Sequence, residues 1–82
     1  VNGLCDPAPL LEDAPQTAAR IAASAPLSVA QTRRAIHEGL QRDLSAGLQL
    51  EIDAYNRLVG TEDRREGIRA FNEKRKAEFR GR

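Results

Sequence analysis

Residues 44–59, LSAGLQLEIDAYNRLV, decide the fold. Leu44, Leu48, Ile52, Tyr55 and Val59 are spaced four, four, three and four apart. That spacing makes one apolar stripe of an α-helix and does not fit the two-residue alternation of a strand. Asp43 stands where a helix N-cap belongs, and Gly60 where a C-terminal stop belongs.

Working outward gives three more helices. Upstream, Ser24-Ala25-Pro26 is a tight break, and residues 27–41 read as a helix with Leu27, Ala30, Ile36 and Leu40 on its apolar side. Before it, Asp6-Pro7 has the form of a helix start, and Leu10, Leu11, Ala14, Ala18, Ile21 and Ala22 recur at helical spacing. Pro15 interrupts that run, and an interior proline costs a helix about 3 kcal/mol. The expectation is a short first turn and a main helix through Ala23, either kinked at Pro15 or beginning near it. Downstream, Thr61 caps a fourth helix with Glu62 and Asp63 in its first turn and Lys74, Arg75 and Lys76 in its last. Acid first and base last is the order the helix dipole favours. Ile68 and Phe71 are expected to anchor this helix to the core. The chain therefore reads as all-α, with about four helices and no internal repeat.

The composition bounds what such a chain can do. Of its 82 residues, thirteen are Ala, so nine Leu, two Phe and one Tyr must carry most of the burial. A core of this size seldom supplies more than about 3–5 kcal/mol, which makes association with other polypeptide the expected state. Val1 stands in place of a Met, and VNGL resembles the exit of a strand. Residues 1–5 are thus expected to be the remnant of a strand or linker from a missing N-terminal domain, and 1–82 a single C-terminal helical region. No apolar run approaches the ~20 residues that cross a bilayer. The single Cys5 allows no internal disulfide, which fits a cytoplasmic setting.

Net charge is +1, and the basic excess is confined to residues 62–82. That is weak for a nucleic-acid binder, which would also interleave aromatics with its cations. One His and one Cys cannot assemble a metal cluster. His37, beside Arg34, Glu38 and Gln41, reads as an exposed helix position; Cys5 reads as a buried or partly buried bystander. Among the carboxylates, Glu62 has Arg65 nearby, and Asp63 has Arg64 or the amide region of Gly67. Glu51, between Leu50 and Ile52, is expected to be partly buried and bonded to an Arg. Lys74 and Arg75, with Lys76 next to them as a secondary choice, are the candidates for an anionic ligand, since Lys offers a point charge to phosphate and Arg a two-pronged grip. The competing reading is a solvated helix with no ligand.

Three blocks together resemble a known family. They are Ala22-Ala23-Ser24-Ala25-Pro26-Leu27-Ser28-Val29, Gly47-Leu48-Gln49-Leu50-Glu51, and residues 61–75, TEDRREGIRAFNEKR. Their order and spacing are similar to those of the enoyl-CoA hydratase/isomerase (crotonase) family, and Lys76-Ala77-Glu78-Phe79 with Gly81-Arg82 looks like the end of such a chain. The resemblance covers essentially all 82 residues and corresponds to the C-terminal third of a family member. It implies a helical trimerisation region, in a trimer or dimer of trimers, and a coenzyme A thioester as substrate with no separate cofactor. It places Tyr55 and Lys74 at the CoA site, with Tyr55 standing where the better-known pattern has Phe. No carboxylate of the chain matches the family's catalytic glutamates, so no catalytic residue is expected here. The implied parent activity is hydration of a 2-enoyl-CoA, with isomerase, hydrolase and decarboxylase members sharing the same pattern. The alternative is a stand-alone helical module that self-associates through the Leu44–Val59 stripe.

Overall fold

A computed structural model describes residues 3–82 and gives four α-helices in the expected order. They are α1 (Leu10–Ala22), α2 (Pro26–Gly39), α3 (Leu44–Val59) and α4 (Glu62–Asn72). Val1 and Asn2, on which the strand-exit reading partly rests, lie outside the described residues; Gly3 to Asp6 have no regular structure.

Local chemistry sets most boundaries. The Asp43 carboxylate accepts from the Ala46 amide at 2.8 Å and opens α3. The Thr61 hydroxyl accepts from the Arg64 amide at 3.2 Å and opens α4, both satisfying helix-start donors that have no partner within the helix. Pro26 does not only end the run before it. It is the first residue of α2, where its missing N–H is no loss. α1 begins at Leu10 after a turn over 7–9, so the Asp6 cap is not used, and the helix runs through Pro15. α2 ends at Gly39, two residues before the expected Gln41, because Leu40 to Arg42 form the turn into α3.

α2 and α3 pack as a helical hairpin. Gly47 allows it: a Cβ there would stand 3.2 Å from the Gly39 carbonyl oxygen. The buried core is small, consisting of Leu50, Ala54, Ala70 and the carboxylate residue Asp63. The molecule is a slab of 42 × 39 × 18 Å with a radius of gyration of 15.7 Å, against about 12 Å for a compact domain of this length.

Burial shows which faces are covered and corrects the expected anchors of α4. The Leu44–Val59 stripe exists but faces outward: Leu44 is 78% exposed, and Leu48, Ile52, Tyr55 and Val59 are all around half exposed. The residues of α3 that are buried, Leu50 and Ala54, lie on a second apolar face roughly a third of a turn away. Ile68 and Phe71 do not anchor α4 either, being 50% and 84% exposed; Ala70 and Asp63 are its buried residues. Helical spacing identifies apolar faces but not which of two is covered.

Candidate functional site

The most organised polar region lies between α4 and the ten residues that follow it. Asp63, Glu66 and Gly67 are three and four residues apart and share one face of α4. Across that face the tail runs back. Asp63, 3% exposed, accepts from the Arg80 and Gly81 amides at 2.8 Å each, and its own amide donates to the Arg82 carbonyl at 2.8 Å. Glu66 accepts from the Glu78 amide at 2.8 Å, and the Phe79 ring lies over Gly67, 3.6 Å from where a Cβ would stand. Glu62 and Arg82 close the end with an exposed ion pair at 2.9 Å.

The helix end carries the charge cluster. α4 stops at Asn72, so Lys74, Arg75 and Lys76 lie beyond it and not in its last turn. The Lys74 amide donates to Phe71 and the Arg75 amide to Ala70, which is the hydrogen-bond pattern of a Schellman turn. Lys74 occupies its left-handed position with φ of 54°. For a residue with a Cβ that conformation costs about 1–2 kcal/mol. The Arg75 guanidinium meets Glu66 with two bonds of 2.7 and 2.9 Å and reaches Glu73 with a third of 2.6 Å. The two-pronged Arg75 bond and the Glu78 amide hold the Glu66 carboxyl down to about 2. In return the Glu66 and Glu73 carboxylates raise Arg75 above the ordinary guanidinium value.

The cations therefore divide. Arg75 is committed to ion pairs within the chain. Lys74 and Lys76 are exposed, and their ammonium groups make no hydrogen bond or ion pair among the described residues. Tyr55 is 55% exposed on α3, lining a shallow groove of about 430 Å³ with Leu48, Glu51 and Ile52. Lys74 does not line that groove.

The other candidates fall into place. His37 is exposed, as expected. Cys5 is exposed and not buried. Glu51 is exposed, and no Arg bonds it among the described residues; the α2–α3 groove it lines is open to solvent. Asp63 bonds the tail backbone instead of Arg64 or Gly67, and Glu62 pairs with Arg82 instead of Arg65. The tail contacts were missed because their partners are backbone amides, which no residue type announces. Among the described residues no group of three or more His, Cys, Asp or Glu could hold a metal ion, and no helix is long and apolar enough to cross a membrane.

Comparison with known proteins adds a family. The profile described as Enoyl-CoA hydratase/isomerase matches residues 1–82. The chain is 45% identical over 81 residues to YngF of Bacillus subtilis strain 168, whose name places it among the enoyl-CoA hydratases/isomerases; the match covers 99% of this chain and 31% of that protein. It is 38% identical over 79 residues to a crotonyl-CoA hydratase of Syntrophomonas wolfei, covering 96% of this chain and 30% of that protein. The crystal structure of an enoyl-CoA hydratase from Bacillus anthracis superposes with a TM-score of 0.88 at 42% identity, over 90% of this chain and 29% of that one. The chain thus spans about a third of the length of the relatives it matches.

Proposed function

Because the chain belongs to the enoyl-CoA hydratase/isomerase family, we propose that it is the C-terminal helical third of an enzyme that adds water to 2-enoyl-CoA thioesters. In this reading it contributes subunit assembly and one wall of the CoA site, and the catalytic glutamates and oxyanion hole lie on other polypeptide. The hydration itself needs donors that stabilise a developing thioester enolate and carboxylates that handle the water. In this reading the carboxylates of α4 serve structure and not that chemistry, since Asp63 and Glu66 hold the tail and Arg75.

The observation that carries the reading is the outward apolar face of the α2–α3 hairpin. Ile36, Leu40, Leu44, Leu48, Ile52 and Tyr55 are each more than half exposed. Isolated exposed apolar residues are ordinary, but a contiguous face of this kind marks an interface. The names of the relatives support the substrate class: a crotonyl-CoA hydratase and a short-chain-enoyl-CoA hydratase are among them. Lys74 is the CoA contact in this reading, since its ammonium is exposed and Arg75 is occupied. Tyr55 supplies a ring for stacking, and its half-exposed position leaves the hydroxyl open to water. The homo-oligomer, trimer or dimer of trimers, is the assembly proposed for the face.

The test is steady-state hydration of a short 2-enoyl-CoA by the full-length protein carrying this segment. Replacing Lys74 by Ala is expected to raise KM by about two- to fivefold with little change in kcat, the size of one exposed charge contact. An unchanged KM at low salt removes Lys74 from the CoA site. The same face also favours a second reading, a stand-alone self-association module. That reading requires an 82-residue product in the cell, which the intact mass of the native protein decides.

A further inference from the structure

Among the described residues, Lys74 alone combines a side chain with a left-handed backbone, φ 54°. The position it fills is the one where glycine or asparagine normally ends a helix, because a Cβ is unfavourable there. Its neighbours on both sides are tied together. Arg75 bonds Glu73 across it at 2.6 Å and Glu66 of the preceding helix at 2.7 and 2.9 Å. The Glu66 Oε2 that accepts from Arg75 also accepts from the Glu78 amide at 2.8 Å. Lys74 itself takes no part in this bridge, and its ammonium makes no bond among the described residues.

We propose that Glu66, Arg75 and Glu73 are positioning residues: their ion-pair bridge fixes the left-handed turn and so presents the Lys74 ammonium to a phosphate of the bound CoA thioester. This rests on the reading of Lys74 as a CoA contact and adds how the contact is aimed. A lysine on a free chain end sweeps a large volume and loses rotational freedom when it meets an anion. Fixing its backbone beforehand removes part of that loss. Arg75 is held in place by four of its five N–H donors, to Glu66, Glu73 and the Lys76 carbonyl, so turning it toward a ligand would break the bonds that shape the turn. The turn therefore sets a lysine at a glycine's position, with a conformational disadvantage that its exposed ammonium offsets only when a ligand is bound.

The experiment compares Lys74→Gly, Glu66→Gln and Glu73→Gln in the full-length protein, using a short 2-enoyl-CoA and the matching pantetheine thioester, which lacks the nucleotide phosphates. Lys74→Gly is expected to raise the melting temperature while raising KM for the CoA thioester about two- to fivefold, with kcat and the pantetheine KM unchanged. Glu66→Gln is expected to raise the CoA KM by up to the same factor, again without moving the pantetheine KM, and Glu73→Gln to do so to a smaller extent. If Lys74→Gly raises the CoA KM but neither glutamate variant does, the bridge does not position Lys74, while the CoA contact stands. If Lys74→Gly leaves that KM unchanged, both the contact and its positioning fall. If Glu66→Gln lowers kcat and raises both KM values together, its role is structural and the proposal is overturned. Should Glu66→Gln fail to fold, the exposed Glu73→Gln variant decides alone.

Discussion

Two carboxylates one turn apart on α4 do different work from what their neighbours in sequence suggest. Asp63 is buried and satisfied by the Arg80 and Gly81 amides. Replacing it by Ala leaves both amides without an acceptor, which costs about 2–3 kcal/mol. Hydrogen exchange at Arg80 and Gly81 should then accelerate by about two orders of magnitude, and unchanged protection would show that the tail is held elsewhere. Glu66 is the pH-sensitive partner. Its carboxyl is held at about 2 against an ordinary 4.5, so the contribution of its bridge is complete above 4.5 and is lost as pH falls from 4.5 toward 2. The Glu66→Gln variant should lack this acid-dependent loosening of residues 75–78, read by amide chemical shifts across that range. The sequence placed the acids and bases of TEDRREGIRAFNEKR on one helix and its end. It did not show that Asp63 and Glu66 bind backbone, because the amides they accept from belong to Glu78, Arg80 and Gly81, twelve to eighteen residues away.

Helix starts and ends were largely legible at the level of elements, since capping is local chemistry. Asp43 and Thr61 accept from amides three residues on, and α3 spans the sixteen residues its periodicity marks. α4 stops short of Lys74 because the Schellman turn uses the carbonyls of Ala70 and Phe71 for Arg75 and Lys74. Acid-to-base order along the segment gave no hint of that stop. The hairpin of α2 and α3 depends on a contact between two glycines. A methyl group on Gly47 would press on the Gly39 carbonyl at 3.2 Å, against backbone that cannot rotate aside. Gly47→Ala should destabilise the hairpin by about 1–3 kcal/mol despite alanine's better helix propensity. A melting temperature equal to or above that of the parent would show that the helices separate freely. Gly67→Ala makes the contrast, since the Phe79 ring stands at ordinary contact distance of 3.6 Å.

Across the whole molecule, the slab shape and small core follow from an apolar surface larger than four short helices can cover among themselves. Leu44, Leu48, Ile52 and Tyr55 stay outward while Leu50 and Ala54 are buried. Leu48→Asp puts a charge in the middle of the open face, where pairing with another subunit would have to desolvate it. If the proposed homo-oligomer forms through this face, sedimentation of the full-length protein should show the variant dissociated, whereas an unaltered oligomer would place the interface elsewhere. The sequence by itself determined the helical class, the helix starts at Asp43 and Thr61 and the stop at Gly60, and the family pattern of the last helix, because each rests on neighbours within one or two turns. Only the tertiary structure decided which face of α3 is buried, that Arg75 is occupied while Lys74 is not, and that the tail is fastened to Asp63 and Glu66. Those outcomes depend on long-range backbone partners and on which of two apolar stripes finds a surface first, and residue spacing carries no record of either.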